Sequence, residues 1–146
     1  MLDNNFLELI KLIATKMKSA GVKWALTSGA NLTLQGLDVK LDFIDILVKN
    51  EELDTVEKTL NDFKEIDRIK LENGEGEEII FVFKNLKIRV CGEYDQGYFL
   101  KFFDDIIYLE KDGVKIPCFK LKNEMDICKR FSKTDKLEMI KNFLKQ

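Results

Sequence analysis

The stretch that decides the fold runs Trp24-Ala25-Leu26-Thr27-Ser28-Gly29-Ala30-Asn31-Leu32-Thr33-Leu34-Gln35-Gly36, followed shortly by Leu41-Asp42-Phe43-Ile44-Asp45-Ile46-Leu47-Val48. Val22 to Leu26 reads as a short apolar strand, and Thr27-Ser28-Gly29 breaks it. Ala30 to Gln35 reads as a short helix with Gly36 as its stop. Where a strand ends and a helix begins, unbonded N–H groups point at whatever sits above the strand end. The hydroxyls of Thr27 and Ser28 add donors, although a plain N-cap is the simplest use for either of them. Leu41 to Val48 is apolar on both faces, the pattern of a central strand covered on both sides. Alternation sets Phe43, Asp45 and Leu47 on one face and Asp42, Ile44, Ile46 and Val48 on the other. Asp45 is therefore an ionisable group in an apolar strand, which is costly unless a cation or hydrogen-bond donors meet it. Three readings are open: a structural ion pair, a position near the strand end that water reaches, or a carboxylate that handles metal or phosphate.

Outward from this stretch the elements alternate. Phe6, Leu9, Ile10, Ile13 and Met17 are spaced as one face of a helix from Asn5 to Ser19, with Asp3 or Asn4 as its cap and Gly21 past its end. Asn50 is placed to cap a helix from Glu51 to Phe63. A weaker strand, about Glu65 to Lys70, leads into the acidic, glycine-bearing loop Glu72 to Glu77. Glu78–Phe83 and Leu86–Cys91 form one hairpin, and Ile106 to Cys118 forms another that turns at Asp112-Gly113. Two helices, Lys122 to Phe131 and Thr134 to Lys145, close the chain. No linker or repeat interrupts this order. The expected fold class is α+β, a mixed sheet with flanking helices, in a single domain spanning 1–146.

Composition narrows the chemistry. The chain has 146 residues, 45% hydrophobic and 34% charged, with 24 basic and 26 acidic side chains and a net charge of -2. That size and apolar content suit one domain with a core. The balanced charge gives no footprint for nucleic acid and no polybasic patch for a membrane surface. Histidine is absent, which excludes Ser-His and Cys-His nucleophiles and imidazole metal ligands. Cys91, Cys118 and Cys128 form no CxxC pair, and an odd count reads as reduced thiols. Cys91 stands two residues beyond Arg89, where positive charge would lower its pKa, or it is a small buried apolar residue. The start, Met1 to Asn5, lacks a basic region followed by a long apolar stretch, so a cytoplasmic location is expected. The aromatic run Tyr98 to Phe103 is core, or is covered in part by a second subunit.

The segment from Trp24 to Val48 resembles the small prokaryotic nucleotidyltransferase-like proteins, which share the fold of the DNA polymerase beta nucleotidyltransferases. The family pattern is an apolar strand, Gly-Gly or Gly-Ser, a short helix ending in Gly, and then a strand bearing Asp-x-Asp. Here Ser28-Gly29 takes the place of the glycine pair, Gly36 ends the short helix, and Asp45 falls on the second Asp. The resemblance continues in element order through the Lys87-Ile88-Arg89-Val90 strand, the Gly113-Val114-Lys115-Ile116-Pro117 arm and the lysine-rich final helices. It implies a nucleotide/phosphate-binding loop at Thr27, Ser28 and Gly29. It also implies three carboxylates holding two divalent metals, usually magnesium.

Against that pattern the first carboxylate position is Phe43 and the third is Arg89, so of the three former metal-ligand positions Phe43, Asp45 and Arg89 only Asp45 keeps an acid. The expectation is a degenerate, non-catalytic protein that binds a nucleotide or a protein partner through the former active-site cleft, with no cofactor and no metal. Arg89 would take the metal's place and pair with Asp45, and Lys129, Arg130, Lys133 and Lys136 would line a helical face near the cleft. The alternative is an active minimal nucleotidyltransferase moving a nucleoside monophosphate from a triphosphate to a hydroxyl, with Asp45 as catalytic residue and magnesium as cofactor. Expected partners are a nucleoside triphosphate and a protein partner or second copy, with no nucleic acid and no membrane.

Overall fold

The structure is a computed structural model that describes residues 3–146, so Met1 and Leu2 of the start read above lie outside the described residues. Helix α1 spans Asn4–Ala20: the Asp3 side chain accepts the Asn5 N–H at 2.7 Å, and Gly21, at φ +72°, closes the far end. Strand β1 is Trp24–Thr27 and the short helix α2 is Ser28–Leu34. Strand β2 is Ile44–Lys49, helix α3 is Leu53–Thr59, and strands β3 to β5 are Lys64–Lys70, Gly76–Phe83 and Leu86–Glu93. Strands β6, Ile106–Lys111, and β7, Val114–Phe119, precede helices α4, Leu121–Arg130, and α5, Thr134–Leu144.

The seven strands form one mixed sheet in the order β3-β4-β5-β2-β1-β7-β6. β2 lies at its centre, antiparallel to β1 and parallel to β5. Ile44, Ile46 and Val48 of β2, with Leu26, Ile79, Phe81, Ile88 and Val90, pack beneath α1 and α3 into the main core. The opposite face is covered only in part. Ala25, Leu47 and Phe119 meet Phe102 and Phe103 of a 3₁₀ segment, Phe99–Asp105, while Leu32, Leu37, Cys128 and Ile140 join α2, α4 and α5. Between these covers and β4 the sheet is left open. This is an α+β fold, as the alternation of apolar residues predicts.

Two local readings change. The strand expected from Leu41 starts only at Ile44, because Leu41 leaves the ladder to pack under α2, 3.4 Å from where a Gly29 Cβ would sit. The helix expected over Glu51–Phe63 is α3 flanked by 3₁₀ turns at Asn50–Glu52 and Asn61–Phe63. Asn50 does not cap it. Its amide donates instead to the Gly92 carbonyl at 3.1 Å and to Glu77 at 3.2 Å, tying the turn to the sheet. In the run Tyr98–Phe103, Phe102 and Phe103 are buried within the chain, in keeping with the core reading at that end.

Helix α3 approaches the sheet closely at Gly92 of β5. A Cβ there would lie 2.5 Å from the Leu53 side chain and 3.0 Å from the Asn50 backbone. Gly92→Ala is expected to lower stability by about 1–3 kcal/mol, the usual result of overpacking, as read from urea midpoints.

Candidate functional site

The parallel register of β2 and β5 sets Asp45 directly beside Arg89. Both side chains leave the sheet on its open face, since their neighbours Ile44, Ile46, Ile88 and Val90 all point into the main core. The Arg89 Nε donates to Asp45 Oδ1 at 2.7 Å. The guanidinium also stacks over the Phe43 ring, 4.6 Å from its centroid, just before β2 begins. Glu78 of β4 brings an oxygen to 3.8 Å from the same Nε. Three neighbouring strands thus contribute a row, Asp45, Arg89, Glu78, in which one cation faces two carboxylates.

This row floors a cleft of about 530 Å³. Thr27 and Ser28 form one wall, the Leu71–Asn73 loop another, and Phe99 a third, with Cys91 and Glu93 in the floor. Phe43 stands behind Arg89, and Gly29 is buried in α2; neither lines the cleft. Burial pushes the Asp45 carboxyl up, and the bond and charge of Arg89, then the charge of Lys136, pull it back only in part. Burial works against the charge on Arg89, but Asp45 more than restores it. The Cys91 thiol is pushed up to about 12 by burial and then by Asp45, so the Arg89 field does not activate it.

Two residues that sequence reasoning passed over shape the site. Glu124 of α4 is buried, 3% exposed, and its Oε2 accepts the Ser28 N–H at 2.9 Å and the Asn31 amide at 2.7 Å. The N–H that the sequence left free for a ligand is therefore taken from within the chain. Thr27 is the N-cap of α2 by backbone geometry, but its hydroxyl makes no cap bond. The buried carboxylate of Glu124 takes that role from a distant helix. Ser28 itself sits at φ +56°, a left-handed conformation uncommon for a residue with a Cβ. Burial raises the Glu124 carboxyl to about 7 against the pull of Asn31, Ser28 and Lys136. The signal was present: Glu124 lies one turn before Cys128, on the apolar face of a helix. The second residue is Glu93, 1% exposed, whose Oε1 accepts the Leu100 N–H at 2.8 Å and so anchors the 3₁₀ segment that walls the cleft. Gly97 is bare because a Cβ there would lie 2.2 Å from the Glu93 side chain.

The basic face expected near the cleft is divided. Lys136 acts on Asp45 and Glu124 through its charge, whereas Arg130 stacks over Tyr98 at 4.2 Å. Lys129 and Lys133 are exposed. No described helix is long and apolar enough to cross a membrane. Among the described residues, no three acidic, thiol or imidazole groups converge as a metal-binding cluster.

No family model matches the sequence, and no curated protein does. Solved structures do. A Thermotoga maritima protein provisionally assigned as a nucleotidyltransferase superposes with a TM-score of 0.78 at 20% identity, over 99% of this chain and 96% of the other. The antibiotic-resistance factor ANT(2'')-Ia, in a crystal structure with adenylyl-2''-tobramycin, superposes with a TM-score of 0.61 at 10% identity, over 97% and 90%. Its solution structure gives 0.59 at 14% identity, over 85% and 70%. The chain is thus a small protein of nucleotidyltransferase-like fold.

Two outcomes follow from the site. Asp45→Ala and Arg89→Ala are each expected to cost about 2–4 kcal/mol, toward the low end because Arg89 is 37% exposed and water screens it. The double variant should cost less than the sum, and additive urea midpoints would show that the two charges are independent. The second outcome concerns pH. The Glu124 carboxyl is raised on folding, so the folded state holds its proton longer than the unfolded chain does. Stability from this group is complete below about pH 4.5 and is lost as pH rises through about 7. Glu124→Gln is expected to flatten that part of the stability–pH curve and to equal or exceed the parent at pH 8. An unchanged slope in denaturant titrations would refute the assignment.

Proposed function

We propose that this protein is a degenerate nucleotidyltransferase-fold protein that does not transfer nucleotides, and that its cleft binds a nucleotide or a protein partner. The observation that carries the reading is the 2.7 Å contact of Arg89 with Asp45. In the related fold two divalent ions need converging carboxylates. Here Phe43 offers no oxygen, Arg89 brings a permanent positive charge, and Asp45 commits one oxygen to that charge. This donor set does not fit a two-metal site.

What remains suits binding. The cleft has the volume of a small-molecule site and one wall from the aromatic Phe99. Only the Nε edge of Arg89 is hydrogen-bonded to Asp45, which leaves its terminal nitrogens for a phosphate or a partner's carboxylate. Lys136 adds positive charge from α5. Asp45, Glu72, Glu78 and Glu93 hold the other sign, so a triphosphate free of counter-ions meets opposition, and modest affinity is expected.

The test combines binding with turnover. The purified chain, given magnesium and each nucleoside triphosphate with a hydroxyl-bearing acceptor, is expected to release no pyrophosphate. Any nucleotide binding seen by calorimetry should be the same in magnesium and in chelator, and about tenfold weaker in Arg89→Gln. Magnesium-dependent pyrophosphate release abolished in Asp45→Asn would overturn the reading and establish the transferase. The paired change Phe43→Asp with Arg89→Glu restores the acids on paper, and gain of divalent-ion binding is its expected result.

A further inference from the structure

Strand β3 ends the sheet, and its outer edge has no partner among the described residues. All of it but Arg68 is exposed, including Ile66 at 45% and Ile69 at 48%. Open edges of this kind recruit other strands unless they are blunted. The sequence of the edge is Lys64-Glu65-Ile66-Asp67-Arg68-Ile69-Lys70. Read against itself antiparallel about the Asp67–Arg68 bond, it sets Ile66 opposite Ile69 and Glu65 opposite Lys70.

A regular strand does not permit that pairing. A two-fold axis normal to a sheet keeps each side chain on its own face. Opposed residues must therefore both point up or both down, and in a regular strand Ile66 and Ile69 point to opposite faces. β3 is not regular. Ile66 is opposite Ile80 of β4 and Ile69 is opposite Glu78, so three steps on β3 run against two on β4. The bulge between them returns both isoleucines to the cleft face, the face of Glu78. Arg68 points the other way and bonds Asp54 of α3 at 2.6 Å. Ile66 and Ile69 thus share a face, as a two-fold pairing about the Asp67–Arg68 bond requires of them, while a second register shift, between Lys64 and Ile66, turns Lys64 to the α3 face opposite Phe81.

Charge selects the occupant. Lys64 and Arg68 already have acidic partners in the chain, and Asp67 is paired with Lys64 at 2.7 Å. Glu65 and Lys70 have none among the described residues. They are the two charges that a second β3, running antiparallel, would match. The same charges disfavour strands of other sequence.

We propose that β3 pairs with β3 of a second copy of this chain, joining two sheets through Ile66–Ile69 contacts and two Glu65–Lys70 ion pairs. Leu71 follows the strand directly and begins the Leu71–Asn73 wall of the cleft. Pairing would hold, in both copies, the strand that leads into that wall.

The experiment is sedimentation equilibrium of the full chain from about 1 to 500 μM, the range in which a small, partly polar interface associates. Reversible monomer–dimer behaviour is expected. Glu65→Lys alone, or Lys70→Glu alone, opposes like charges at both ends of the pairing and should weaken the dimer about tenfold. The double swap should restore it, and Ile69→Ser should weaken it by a similar factor. All four changes lie on the exposed edge, and circular dichroism checks that each variant is folded. A monomer throughout the range overturns the proposal. So does a dimer indifferent to the single swaps, or a double swap no tighter than either single.

Discussion

The structure turns on a charge placed in the middle of its sheet. β2 is the central strand, its inner face is wholly apolar, and Asp45 on the other face is largely removed from water. An ionised carboxylate there is sustainable only beside a cation, and the parallel register of β5 delivers Arg89 to the adjacent position. The consequences extend outward. Arg89 must leave the sheet on the open face, Phe43 lies against its plane, and Glu78 completes the row from the next strand. The cleft is open above this row because the covering elements pack to one side of it.

A second buried carboxyl group governs the rim. Glu124 docks α4 against the turn between β1 and α2 by accepting the Ser28 N–H and the Asn31 amide, and Asn31 also donates to the Phe119 carbonyl. A helix far along the chain thereby fixes the turn that comes early in it. The same bond explains how Ser28 holds a left-handed conformation: the surrounding contacts supply what that conformation costs. Glu93 does the equivalent work for the opposite wall, holding Leu100 from beneath. The site is framed by carboxylates bonded to backbone N–H groups, an arrangement that rigidifies it without a ligand.

Much of this was legible in the order of residues. The apolar spacing of α1, the strand–turn–short helix at Trp24 to Leu34, both hairpins and the final helices could be read directly, because periodicity reports which face a local element will bury. The face of Asp45 followed from alternation, and its pairing with Arg89 from the resemblance to the nucleotidyltransferase pattern, which set the two at neighbouring positions. The limits of α3 and β2 did not. They depend on Asn50 finding Gly92 and Glu77, and on Leu41 finding α2, and those partners are remote in the chain.

The sequence by itself determined the elements and the faces they would bury, since each is a local property of residue type and spacing. Only the tertiary structure decided how the charges are used. Glu124 reads as one more acid in a charged helix until the fold brings it, buried, to the Ser28 N–H. The edge β3 reads as a weak polar strand until its bulge puts Ile66 and Ile69 on one face. In both cases the reason is the same. The energy of a buried charge or an aligned edge depends on which distant groups surround it, and that is fixed only when the sheet assembles.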